Sequence, residues 1–316
     1  MPNNASPIER SAILLFGMEH RLLALGPGQS ISFLDVLTAA EFGMYDEAIR
    51  EVQRFHADDQ MFDIFEANVE GVFEFCRQTV AAFAADKAMT AERMYRIATE
   101  ANRHLLNVLT SLRTFLDHAE TRLKRTYGKG SAEVAEFKRA TSQEYDRRFA
   151  YRFLYRLRNY AQHCGLPVGR FSLGSEVLES AGEEPDPPTR ETLAIYFARE
   201  QLLTDFDDWG NQVEQELRAG PRSIEITRLL RILDGSVKSI HTLLRKMSAR
   251  RARPHARKLR SLVRRVERGR PGVQAALGHI IGEATPSRLR FRIRRLPFES
   301  IGELLDSNHL RKRARC

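Results

Sequence analysis

Between Met94 and Ala119 the apolar residues Met94, Ala98, Ala101, Leu105, Val108, Leu112, Phe115 and Ala119 recur at alternating steps of four and three. That cadence follows the helical turn of about 3.6 residues and not the two-residue period of a strand. It predicts one long helix with a narrow apolar seam of coiled-coil type, opening after Thr90 and lasting to about Tyr127-Gly128. A seam of that length must be covered by another helix, which is the strongest constraint on how the chain folds. Thr141-Ser142-Gln143-Glu144 has the form of a capping box and predicts a second helix of about six turns, stopped by Gly165-Leu166-Pro167. The two are expected to pack antiparallel as the centre of a helical bundle.

Other helix signals flank this pair. Ser6-Pro7-Ile8-Glu9 combines a capping box with a first-turn proline and predicts a helix ending near Gly26-Pro27-Gly28, followed by helices at about 33–55 and 59–85. Further helices are expected at about 190–218, 223–248, 254–269 and 272–282, with Gly220-Pro221 and Arg270-Pro271-Gly272 as breaks. Only Arg288-Leu289-Arg290-Phe291-Arg292-Ile293-Arg294 alternates with period two and reads as a strand. Ala181 to Pro188 has no apolar period and three prolines, so the linker is placed at 181–189. The expectation is an all-α chain: a bundle over 1–180, then a basic, mostly helical region over 190–316.

Charge sharpens this division. Residues 1–100 hold 8 Lys+Arg against 16 Asp+Glu, residues 101–200 hold 16 against 13, and residues 201–316 hold 26 against 12. The chain therefore runs from net −8 through +3 to +14. Arginine far outnumbers lysine, and its planar fork suits bidentate phosphate contact, so a polyanion such as RNA is the expected partner. Arg250, Arg251, Arg253, Arg264 and Arg265 are the expected phosphate contacts of the C-terminal third. The structural alternative is that the basic third docks on the acidic N-terminal third. Cys76, Cys164 and Cys316 form no paired or metal-ligating pattern, which points to a reducing compartment, the cytoplasm. No stretch reads as a membrane span or leader. Asp205, Asp207 and Asp208 cluster without a second ligand group, and no nucleotide, hydrolase or metalloprotease motif occurs, so neither metal nor cofactor is expected.

An Arg and a His separated by four residues occur three times, as Arg113/His118, Arg158/His163 and Arg250/His255, so the spacing alone selects nothing. Context favours Arg158/His163. His163 falls in the last turn of its helix, where the negative dipole end favours the imidazolium. Asn159, four residues earlier, lies on the same face and is placed to orient the ring. Arg152 and Arg156 extend that face into a stripe suited to phosphate. His104, Asn107, Ser111, Thr114 and His118 form a second polar stripe that is expected to line the same groove. The structural alternative has Arg158 paired with Asp117 or Glu120 and His163 acting as a cap.

Arg158, Asn159 and His163 together resemble the motif of the HEPN superfamily, helical bundles whose ribonuclease members carry an Arg, four to six residues and a His near the end of a late helix. The resemblance covers about residues 90–167. It implies metal-independent endoribonuclease activity at a site built where two protomers face each other, with His163 on the ribose 2′-hydroxyl, Arg158 on the scissile phosphate and Asn159 positioning both. It further implies a homodimer, a role as a toxin or in phage defence, and an inhibitory or activating protein partner. The rival expectation is a non-enzymatic helical protein that binds RNA or serves as a scaffold.

Overall fold

The structure is a computed structural model, and it describes residues 20–27, 30–177, 189–268, 270, 273–280 and 291–305. In chain order it starts with β1 (His20–Leu25), β2 (Ile31–Leu37), α1 (Ala39–Gln53), α2 (Asp59–Ala85), α3 (Ala91–Tyr127), α4 (Ala132–Arg147) and α5 (Phe149–His163). Then come β3 (Val168–Val177), β4 (Thr189–Ala198), α6 (Arg199–Asp205), α7 (Asn211–Ala219) and β5 (Ser223–Glu225). The last are α8 (Ile226–Glu267), β6 (Gln274–Ile280), β7 (Phe291–Arg295) and α9 (Phe298–Leu305). The chain is mostly helical, with two small antiparallel sheets ordered β2-β1-β6-β7 and β3-β4-β5.

These elements form two compact units, Asp58–Leu244 and Met1–Ala57 with Arg245–Cys316. In the first, α3 opens at Thr90, whose hydroxyl accepts from the Arg93 amide at 3.1 Å, and it ends at Gly128 with φ +95°. Glycine meets that left-handed conformation without steric cost. The long helix therefore has its expected limits. Its buried face is wider than the seam: Ile97, Leu109, Leu116 and Leu123 are buried beside Ala101, Leu105, Val108, Leu112, Phe115 and Ala119. The reason is that α3 packs against α2, α4 and α5 and not against one partner. Burying each large side chain contributes about 1.5–3 kcal/mol.

The expected second helix is two. Arg148 is extended, with φ −119° and ψ 107°, and separates α4 from α5. Helix α4 opens at Ser131, whose hydroxyl accepts from the Val134 amide at 3.3 Å, so Thr141 lies inside a helix. The Thr141 hydroxyl donates back to the Lys138 carbonyl at 3.0 Å instead of capping anything.

The departures from an all-α fold have two causes. His20–Leu25 and Gln274–Ile280, both expected to be helical, are the two central strands of one sheet. Leu22, Leu23 and Ala24, and likewise Ala275, Ala276 and Leu277, are buried in succession, because a central strand covered on both faces loses its two-residue alternation. β4 does alternate, with Ile195 and Phe197 buried, and that signal lay inside the helix expected at 190–218. β3 and β4 pair as far as Val177 and Thr189, so residues 181–188, outside the described residues, join two strands of one sheet inside one compact unit. The units divide at Ala57/Asp58 and Leu244/Arg245 and not at 181–189.

Helix α8 runs through Pro254 without the expected break. A proline there removes one backbone donor, at a cost of about 3 kcal/mol in an isolated helix. Burial of Met247, Ala249 and Ala252 before it and of Ala256, Leu259 and Leu262 after it holds the helix together. In the unit built on β2-β1-β6-β7, Ala249, Ala252, Ala256, Leu259 and Leu262 share a core with Leu22, Leu277, Ile301 and Leu304. Among the described residues no helix is long and apolar enough to cross a membrane.

Candidate nucleic-acid interface

Along α5 the two arginines of the expected stripe are engaged by neighbouring elements. Arg152 is 5% exposed. Its Nε donates to Glu216 of α7 at 2.6 Å, and its Nη1 donates to the carbonyls of Tyr145 at 2.9 Å and Asp146 at 3.1 Å. Arg156 lies 3.7 Å from Asp208 and donates to the Tyr145 hydroxyl at 3.4 Å. Both guanidiniums are therefore committed to fastening α5 to its neighbours, the reverse of the expectation for them. Arg158 and Asn159 are half-buried and His163 is exposed.

Neither acidic partner proposed for Arg158 is available to it. Asp117 accepts from Arg113 at 2.8 Å, and Glu120 is engaged by Lys124 at 2.8 Å and Lys138 at 3.6 Å. The Arg158 Nε is buried without a hydrogen-bond partner among the described residues. Helix α5 stays regular to His163, and the Cys164 amide donates to the Tyr160 carbonyl at 2.8 Å. Five helical residues turn through about 500°, so Arg158 and His163 leave the axis about 140° apart. A regular helix therefore sends the two side chains toward different faces. Between them Tyr160 is buried, its hydroxyl donating to Asp205 at 3.4 Å. Burial and the Asp205 carboxylate push its phenol up to about 12.

The second polar stripe turns elsewhere. His104 stacks on Phe75 of α2 with ring centroids 5.4 Å apart, and Ser111 is buried with its hydroxyl donating to the Val108 carbonyl at 3.1 Å. Asn107 and His118 are exposed, and Thr114 donates to the Thr110 carbonyl at 2.9 Å. Of the aspartates near Trp209, Asp205 accepts from Tyr160 and Asp208 lies beside Arg156.

The arginines of α8 fall into two groups. Arg251 Nε donates to Glu51, a carboxylate 4% exposed, at 2.5 Å, and Arg265 pairs with Asp35. These two carry out the alternative weighed from the sequence, docking basic residues on the acidic N-terminal segment. Arg250, Arg253, Arg257, Arg260, Arg264 and Arg268 instead recur at steps of three and four. At about 100° per residue they fall within an arc of about 80° along one side of the helix. Arg250, Arg257, Arg260, Arg264 and Arg268 are exposed, and none has a side-chain ion pair among the described residues. Arg253 is half-buried, with Nε donating to the Leu304 carbonyl at 3.4 Å.

Four members of this row, Arg253, Arg257, Arg260 and Arg264, line a cavity of about 540 Å³ with Ser261 and with Leu304 and Leu305 of α9. Arg257, Arg260 and Arg268 are not among the phosphate contacts expected from the sequence, where only the three-four recurrence from Arg250 to Arg268 marks them. Compared with known proteins, the chain matches no family model, no curated protein and no solved structure.

Proposed function

We propose that this protein binds RNA through the arginine row of α8. The observation that carries the reading is the contrast within one helix: Arg251 and Arg265 are consumed by carboxylates, while the row from Arg250 to Arg268 has no ion pair among the described residues. Like charges three and four residues apart repel, so such a row is destabilising until a polyanion neutralises it. The row spans about 27 Å of helix, long enough to follow several phosphates of one strand. A flexible single strand bends to follow the row and the cavity beside it, which a stiff duplex does not. Affinity then comes from phosphates, with little preference for sequence. The cysteines suit a cytoplasmic setting.

The test is salt-titrated binding of a labelled single-stranded RNA to the full chain and to its Arg257→Gln/Arg260→Gln variant. Binding should weaken linearly on a log–log plot against salt, with a shallower slope for the variant. Failure to retain RNA at low salt would overturn the reading.

A second reading, an endoribonuclease of HEPN type, is favoured by one observation: Arg158 has no acidic partner among the described residues, and His163 stands exposed at the end of the same helix. Because the two side chains diverge, this chemistry requires a homodimer in which Arg158 of one protomer and His163 of the other meet. His163 takes the proton of the ribose 2′-hydroxyl and Arg158 stabilises the charge that builds on the phosphate. Cleavage of RNA in EDTA that His163→Ala abolishes, with RNA affinity kept, supports it. Intact RNA with a monomeric protein removes it.

A further inference from the structure

The cavity beside α8 has a chemistry narrower than a general basic surface. Arg253, Arg257, Arg260 and Arg264 point four cationic side chains at one space, and its described lining contains no carboxylate. A volume of about 540 Å³ lies within the range of about 300–1,000 Å³ usual for a single small ligand. Leu304 and Leu305 supply an apolar wall on the α9 side. Arg253 is held against that wall by its bond to the Leu304 carbonyl, which fixes one guanidinium before any ligand arrives.

Charge density decides what fits. A nucleic-acid strand spreads one charge per phosphate along its axis. A triphosphate chain concentrates roughly four negative charges in one compact group, matching four guanidiniums in one cavity. Arginine suits this better than lysine, because each planar fork can hold two phosphate oxygens at once. The leucine wall is then left for the ribose or base that follows.

We propose that this cavity takes a linear triphosphate group, carried by the 5′ end of an RNA or by a free nucleoside triphosphate. Assignment to an RNA end rests on the RNA-binding reading above, whereas the triphosphate pocket stands without it.

The experiment uses the full chain and three probes: one single-stranded RNA with a 5′-triphosphate, the same RNA with a 5′-hydroxyl, and ATP without divalent metal. Variants are Arg257→Gln/Arg260→Gln, Ser261→Asp and Lys258→Gln. Ser261→Asp keeps all four arginines and adds a repelling carboxylate to the exposed lining, so it serves if the double variant unfolds. Lys258 is exposed on the same helix but does not line the cavity. The triphosphate RNA should bind at least about tenfold more tightly than the hydroxyl RNA. Ser261→Asp should remove that difference, and Lys258→Gln should leave it unchanged. Equal binding of the two RNAs with no ATP binding overturns the triphosphate site and leaves RNA binding intact. ATP binding that Ser261→Asp abolishes, without RNA binding, supports the pocket with a free nucleotide and overturns the RNA reading. Binding of no probe overturns both.

Discussion

The buried Arg152 and the half-buried Glu216 form an ion pair that ties α5 to α7, with Arg152 Nε 2.6 Å from Glu216 Oε2. The same guanidinium satisfies the carbonyls of Tyr145 and Asp146, near the break at Arg148. Glu216→Ala would strand a charge that is 5% exposed, and Arg152→Ala would leave two carbonyls without this donor. Each substitution should destabilise the Asp58–Leu244 unit by about 3 kcal/mol in urea unfolding. RNA affinity, measured below the unfolding transition, should not change for either. A stable Arg152→Ala protein with weakened RNA binding would restore Arg152 as a phosphate contact.

Gly278 of β6 makes room for Leu23 of β1. A methyl group at Gly278 would lie 2.8 Å from Leu23 Cδ1 and 3.0 Å from Cγ, and Leu23 is fully buried and cannot swing clear. Gly278→Ala should therefore lower stability by about 1–3 kcal/mol. Adding Leu23→Ala should cost less in that background than it does alone, since it removes the clash. Equal costs in both backgrounds, read from denaturant midpoints, would show that the sheet accommodates the methyl by other means.

His20 and His279 face each other across paired strands, Nδ1 to Nδ1 at 3.0 Å, and His20 also stacks on Phe42. Burial first, and then the neighbouring His279, hold the His20 pKa below 6.5. In the other unit burial, and then Arg103, lower that of His104. The unfolded chain therefore binds more protons than the folded one once pH falls below about 6.5. Stability contributed by the neutral rings is full above that pH and is lost as pH falls toward the depressed folded values. Urea unfolding at pH 7.5 and pH 5.5 should show the loss, and His20→Phe should reduce it. Stability that rises on acidification would contradict this placement of the rings.

The two described thiols should react at very different rates. Burial pushes the Cys76 thiol from 9.0 to about 11, which lowers its thiolate fraction about 100-fold at neutral pH. Cys164, just beyond α5, is exposed. Mild alkylation of the native protein followed by peptide mass spectrometry should label Cys164 well before Cys76. Rapid labelling of both would mean that α2 opens readily.

Long-period patterns were legible in the sequence and short buried segments were not. Thr90, Gly128 and the seam between them located α3 to within a residue, because caps and apolar period agreed. Leu22-Leu23-Ala24 and Ala275-Ala276-Leu277 carry no period, and what makes them strands is pairing with each other across the length of the chain. Nothing local encodes that partnership. Three of the arginines expected on phosphate were illegible for a related reason. Arg152, Arg251 and Arg265 looked like phosphate contacts until their acidic partners, 64 to 230 residues away, were located. Arg257 and Arg260 become prominent only once their neighbours are seen to be consumed.

That division between engaged and unengaged arginines gives the sharpest prediction. For a single-stranded RNA, each phosphate contact contributes about 0.7 to the slope of log affinity against log salt. Arg257→Gln and Arg260→Gln should each lower the slope by about that amount with little effect on stability, since both side chains are exposed. Arg251→Gln should do the opposite. The slope should hold, while urea unfolding shows a loss of stability because Glu51, 4% exposed, keeps Arg54 alone as a cationic partner among the described residues. Fluorescence anisotropy across a salt series reads the first quantity and denaturant midpoints the second. If all three substitutions changed the slope alike, the ion pair to Glu51 would have to open on RNA binding, and the basic region would act as one undivided surface.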